Sequence, residues 1–245
     1  MSSRILPYQN KRDSKGLVRP LILSKKPLPG KGVLSAVKKD FDFLRQNISF
    51  KERGFGFLMS QVYSSDSGFI AGPYFGAPHA VAVLESLVCS GADNILAIGW
   101  CGSLSSDLKL GDLIIPSSFE YEDSTYKSYA LDEEIKFDSD FQVKIKKSLN
   151  KNNILFKEEK IWTTNAIFRE TREKIDFFKN KGSTCVEMEN SALYHAAKFL
   201  NINLICINIV SDFVSGKKWV QGFKSKEFNE SRKKIINWAA DYVRK

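Results

Sequence analysis

The chain has 245 residues, 43% hydrophobic and 27% charged, with a formal net charge of +9, 4 Cys and 2 His. That length buries one large core and fits one domain or at most two. No apolar run reaches the ~18–20 residues of a membrane span, and the polar, proline-broken start lacks the apolar stretch of a secretory signal.

A cytoplasmic protein with no membrane contact is therefore expected. Cys89, Cys101, Cys185 and Cys206 lie far apart, and only His79 and His195 accompany them, which leaves little material for a zinc site or a Ser-His-Asp triad. No metal and no cofactor are expected. The positive charge raises the question of nucleic acid. Lysines outnumber arginines by 28 to 9 and are scattered, whereas phosphate and base edges are gripped mainly by arginine. The expectation is no nucleic-acid partner.

Residues 1–30 carry Pro7, Pro20, Pro27 and Pro29 and no sustained periodicity, which reads as an extended N-terminal arm ahead of one domain over 31–245. Short β-branched and aromatic runs follow, bounded by Gly, Pro, Asp or Ser. They are Val33–Val37, Phe55–Val62, Phe69–Ala71, Ile95–Trp100, Leu113–Ile115, Ile161–Thr163 and Leu204–Val210. Between and after them, helical spacing appears at 78–90 (Val81, Leu84, Leu87, Val88), 189–200 (Leu193, Ala196, Ala197, Leu200) and 225–244 (Ile235, Ile236, Ala239, Val243). The alternation predicts an α/β fold: one domain with a central mixed, mostly parallel sheet flanked by helices.

In an open α/β sheet, ligands sit beyond the carboxyl ends of the strands. Gly99-Trp100-Cys101-Gly102 follows one run, with glycines that permit close backbone approach and an indole that can wall a pocket. Gly72 and Gly76 feed a helix start that could receive an anion but lack dinucleotide or P-loop spacing. After Val186 comes Glu187-Met188-Glu189, and helical spacing sets Glu189 on the apolar stripe of Leu193 and Ala197, where a carboxylate needs hydrogen-bond partners. Both glutamates also read as first-turn acids that suit the helix dipole. Ser211-Asp212 ends the Leu204–Val210 run, placing a carboxyl at the rim of the core as a candidate general acid or a simple cap.

Four stretches, Gly72–Gly91, Ile95–Pro116, Val186–Ala192 and Ile209–Asp212, stand in the order and at about the spacing of the nucleoside phosphorylase superfamily. That superfamily includes uridine phosphorylase, bacterial-type purine nucleoside phosphorylases and methylthioadenosine nucleosidases. The resemblance spans roughly residues 30 to 240. It implies that Met188 and Glu189 hold a ribose, and that Asp212 protonates the leaving ring nitrogen of a purine or purine-like base. It also implies that Thr163, Thr164, Ile167 and Arg172 belong to the base-recognition segment, beside Glu187 and the Gly99-Trp100-Cys101 turn.

Departures from the family pattern bear on the acceptor. The usual phosphate-gripping Arg and Ser/Thr positions are Ala97 and Trp100, and the early glycine-proline-arginine phosphate loop is missing after Val33–Val37. Arg53, Arg169 and Arg172 are the candidates to rebuild a phosphate site, with Arg53 standing about where the family's partner-subunit arginine would. The expected reaction is cleavage of a nucleoside N-glycosidic bond with transfer to phosphate, in a homo-oligomer. The alternatives are hydrolysis by water, and a non-catalytic nucleoside-binding protein on the same fold.

Overall fold

The computed structural model describes residues 16–54, 56, 58–122, 124–131, 134–216 and 218–245. The first half of the expected N-terminal arm, and Phe55 and Phe57 of one expected strand, lie outside the described residues. Residues 16–30 hold no helix or strand. Leu23 is buried there, its N–H donating to Ser90 Oγ at 2.8 Å.

In chain order the strands are β1 (Lys31–Ser35), β2 (Glu52–Arg53), β3 (Gln61–Ser64), β4 (Phe69–Gly72), β5 (Asn94–Ser103), β6 (Leu113–Tyr121), β7 (Lys157–Thr163), β8 (Cys185–Glu187), β9 (Asn203–Phe213) and β10 (Val220–Gln221). The helices are α1 (Lys38–Asn47), α2 (Ala77–Cys89), α3 (Asp140–Lys151), α4 (Arg172–Asn180), α5 (Asn190–Phe199) and α6 (Lys226–Arg244). The expected α/β class holds, and the longest ladders, β5–β9 and β6–β7, are parallel.

The expectation of an open sheet is corrected. β5 pairs β9, β9 pairs β6, β6 pairs β7, β7 pairs β8 and β8 returns to β5, so five strands close into a barrel. The ten-residue β5 makes this possible. Its first half pairs β1 through Ile98, and its last two residues pair β8 beyond a break in register at Cys101/Gly102. Such irregularities bend a strand and re-aim its side chains. The remaining strands extend from β5 in the order β1, β4, β3, β2.

Side-chain alternation sorts the core into layers. Ile95 and Ala97 of β5, with Leu204 and Cys206 of β9, pack against α2 and α5. Leu96 and Ile98, with Ile205, Ile207 and Ile209, pack against α1, α3 and α6. Cys101, Ile114, Ile161, Cys185 and Val210 fill the barrel. Among the described residues no helix is long and apolar enough to cross a membrane.

Candidate active site

The turn after β8 is held by its own acids. Glu187 Oε2 accepts the backbone N–H groups of Glu189 and Asn190, each at 2.7 Å, and Oε1 accepts the Thr163 hydroxyl at 2.5 Å. These bonds occupy donors that a helix start leaves without partners. Glu187 and Thr163 thus brace the turn, and both are buried.

Glu189 does not lie on the apolar stripe of α5. It is the residue that caps the helix, outside the helical repeat, because the Glu187 carboxylate ends the strand two residues earlier and starts the helix at Asn190. Its Oε1 crosses to α2 and accepts the N–H of Gly76 at 2.6 Å. Gly76 caps α2 with φ +76°, a conformation that favours glycine. Burial, then the neighbouring Glu187 charge, pushes the Glu189 carboxyl up to about 8, against the pull of the Gly76 and Met188 N–H groups. Met188 itself is half-buried beside it.

Asp212 sits near the end of β9. Ser211 Oγ donates to its Oδ1 at 2.6 Å and the Trp219 indole N–H to its Oδ2 at 2.7 Å. Gly102 pairs with Val186 on one side and Asp212 on the other. A Cβ placed on Gly102 would stand 3.3 Å from both Asp212 Oδ2 and Val186 Cγ1. The carboxyl end of β5 is therefore flanked by the Glu187–Glu189 turn and by Asp212.

The remaining sequence candidates divide. Gly99 is half-exposed in the middle of β5, whereas the Trp100 side chain turns to the opposite layer. Its indole donates to Asp40 Oδ2 at 2.8 Å, and its ring packs edge-on against Phe228 at 4.9 Å and stacks on Phe223. Asp40 is in turn ion-paired with buried Arg232. Burial raises the Asp40 carboxyl in spite of that guanidinium. Strand alternation, which the glycine spacing did not reveal, thus directs Trp100 into packing between β5 and α6. The Cys101 side chain points into the barrel, where the Cys185 thiol and burial push it up.

Thr164 donates to Glu122 Oε2 at 3.0 Å, and Lys174 pairs with the same carboxylate at 2.7 Å. Ile167 and Arg169 form a short exposed turn. Arg172 opens α4 and donates to the carbonyls of Ser215 and Gly216, tying down the segment that brings Trp219 to Asp212. Arg53 lies on β2, four strands from β5 in the sheet order. That is roughly 19 Å at the ~4.8 Å strand spacing. Its guanidinium rests 6.0 Å from the Tyr63 ring.

Four residues here escaped the sequence reading. Gly76 reads as feeding a helix start open to an anion, with nothing to show that the anion is the Glu189 carboxylate. Trp219 carries no periodic signal. Glu170 is half-buried, and burial, then the charges of Asp212 and Glu122, pushes its carboxyl up to about 7. Asn208 is a lone amide within the apolar run of β9, 2% exposed, and its Nδ2 has no partner among the described residues.

Comparison with known proteins gives the family and the fold. The family model described as the phosphorylase superfamily matches residues 31–244. An uncharacterized protein of Acanthamoeba polyphaga mimivirus is 30% identical over 206 residues, covering 79% of this chain and 80% of that one. The DeoD-type purine nucleoside phosphorylase of Brevibacillus brevis is 29% identical over 170 residues, 66% of this chain and 70% of its own. Among solved structures, the purine nucleoside phosphorylase of Toxoplasma gondii in complex with immucillin-H superposes with a TM-score of 0.79 at 14% identity, covering 94% of this chain and 98% of that one. The chain belongs to the phosphorylase superfamily, with purine nucleoside phosphorylases among its relatives.

Proposed function

We propose that the protein cleaves the N-glycosidic bond of a purine or purine-like nucleoside and transfers the ribosyl group to phosphate. One observation carries this reading: the carboxyl end of β5 has a carboxylate on each side, Glu189 anchored to Gly76 and Asp212 at the end of β9. As the C1′–N bond breaks, its electron pair leaves with the base and positive charge builds on the sugar. Asp212 in its acid form gives its proton to the base. Glu189 in its ionised form accepts the ribose hydroxyls and favours the cationic sugar. An acceptor oxygen bonds C1′; phosphate yields a ribose phosphate, whereas water yields free ribose and loses its second proton to solvent. The relatives named as purine nucleoside phosphorylases support phosphate as acceptor.

A second reading, hydrolysis, is favoured by the fate of the phosphate positions. Ala97 is in the core, Trp100 is held by Asp40, and Arg172 binds two carbonyls. Arg53, four strands away, serves phosphate only by reaching a neighbouring subunit, which is why we infer a homo-oligomer built on closed dimers. Product analysis with inosine decides between the readings. Phosphate-dependent base release with a sugar phosphate product is expected; free ribose formed at equal rate without phosphate establishes hydrolysis. Asp212→Ala is expected to slow cleavage by ~10²–10⁴-fold, and an unimpaired variant refutes the assignment. Nucleoside binding without any base release by the wild type would leave only a binding protein.

A further inference from the structure

Asn208 interrupts a strand that is otherwise apolar from Leu204 to Val210. Its carboxamide is 2% exposed and its Nδ2 donates to nothing among the described residues. A buried donor without an acceptor is destabilising, so an aliphatic residue would serve better if packing were its task.

The side chain has a definite direction. Asn208 pairs with Gly99 of β5. On β9 it follows Cys206 by two residues, hence on the same face, and Cys206 packs with the α2 and α5 layer. That face carries Glu189: burial, then the Glu187 and Glu189 carboxylates, raises the Cys206 thiol. A Cβ added to Gly99 would meet Asn208 Oδ1 at 3.4 Å and the Ala36 Cβ at 3.6 Å, with no closer atom. Gly99 and Ala36 are nevertheless half-exposed, so an opening reaches the sheet here. Ala36 also joins the parts of the site. Its N–H donates to Ile98 O at 2.9 Å, and its carbonyl accepts the N–H of Tyr74 at 3.3 Å, in the loop whose Gly76 holds Glu189.

We propose that the Asn208 amide is the donor that holds the oxygen nucleophile, a phosphate oxygen or water, on the floor formed by Ala36 and Gly99 beneath the sugar held by Glu189. The inference rests on the nucleoside-cleavage reading above. Oδ1 is the amide atom beside Gly99 and Nδ2 is enclosed; a half-turn of the carboxamide exchanges the two, and a nucleophile oxygen then accepts the N–H while its other lone pair is directed at C1′. Asn208 orients it and takes no proton.

The test compares wild type, Asn208→Leu and Asn208→Ser with inosine as substrate, phosphate titrated from none to saturation, and a carbon-linked purine nucleoside analogue as binding probe. Asn208→Leu is expected to lower kcat by about 10²-fold, the scale of one lost oxyanion donor, while analogue affinity stays within about twofold and the melting temperature does not fall. Asn208→Ser keeps an O–H donor and is expected to recover at least about tenfold of the loss. If phosphate is the nucleophile, its KM rises in Asn208→Leu; if water is, the loss is equal in phosphate-free buffer.

Wild-type turnover and wild-type phosphate KM in Asn208→Leu overturn the inference and leave the cleavage reading intact. So does a loss of rate matched by an equal loss of analogue affinity. A wild-type protein that releases no base overturns both. Should Asn208→Leu not fold, Asn208→Asp takes its place. Nearly equal in size, it sets an acceptor where the donor stood, and turnover above that of Asn208→Ser counts against the inference.

Discussion

Under the proposed function, Glu189 ties a proton to substrate binding. Burial and the Glu187 charge disfavour the anion and push its carboxyl up to about 8. Ribose hydroxyls donate, so they select the ionised form. If only that form binds, apparent affinity follows the ionised fraction, and a nucleoside binds about 50-fold more weakly at pH 6 than at pH 8, with roughly a further twofold gain by pH 9. Isothermal titration with the carbon-linked analogue across pH 6 to 9 measures this directly. Glu189→Gln keeps the shape and removes the charge. It is expected to bind about 10–100-fold more weakly than wild type at pH 8, the value of a hydrogen bond to a charged group, and to show no pH dependence.

Stability moves the other way. The folded carboxyl is raised from 4.5 to about 8, so its contribution is fully present below pH 4.5 and is lost as pH rises through about 8. Glu189→Gln is therefore expected to melt increasingly above wild type from pH 5 to pH 9. A flat wild-type binding profile would refute the proton linkage. A Gln variant that kept the tenfold-per-pH slope would assign it to another group, Glu170 first.

Three further outcomes are expected. Asp40→Leu leaves the Arg232 guanidinium, 5% exposed, without its carboxylate and should cost about 3–5 kcal/mol, a fall of roughly 6–20 °C in calorimetry; Asp40→Leu with Arg232→Met should recover most of it, and equal melting of the two contradicts a buried pair. Trp100→Phe loses the bond to Asp40 but keeps the ring packing, so it should melt lower while analogue affinity stays within about twofold; a large loss of affinity would return Trp100 to the pocket. In Trp219→Phe the Asp212 Oδ2 is free of the indole N–H, and because Trp219 is half-exposed the gain in analogue affinity should be modest, about fivefold or less; weaker binding would instead assign the indole to stacking on the base.

The elements legible in the sequence were those whose period survives in a short window: the β5 and β9 runs, and α2, α5 and α6 with their long apolar stripes. In α1, α3 and α4 the apolar stripes carry few residues: Phe41 and Leu44 in α1, Ile145 and Leu149 in α3, Ile175 and Phe178 in α4. A local signal for α3 did exist. Ser139 and Gln142 form a capping box, each side chain bonding the other's backbone N–H. Barrel closure had none, because the pairing that returns β8 to β5 joins residues far apart in sequence, Gly102 with Val186.

At the site, the two carboxylates were legible for different reasons. Asp212 follows from its place at the end of an apolar strand. Helical spacing sets Glu189 on a helix face, yet the residue caps the helix from outside its repeat, so periodicity misplaces it. The same limit explains Trp100: spacing marked the turn, but only strand register shows that odd and even residues of β5 serve different layers, with Gly99 on the face of Asn208 and Cys206 and Trp100 toward α6. Register likewise separates Asn208 from its neighbours. Read along the chain, it is one polar residue among isoleucines; read across the sheet, it stands opposite the half-exposed Gly99, on the face of Cys206 and Glu189. A buried polar residue inside an apolar strand thus becomes a functional signal only once the residue paired with it is known to be small and open to solvent.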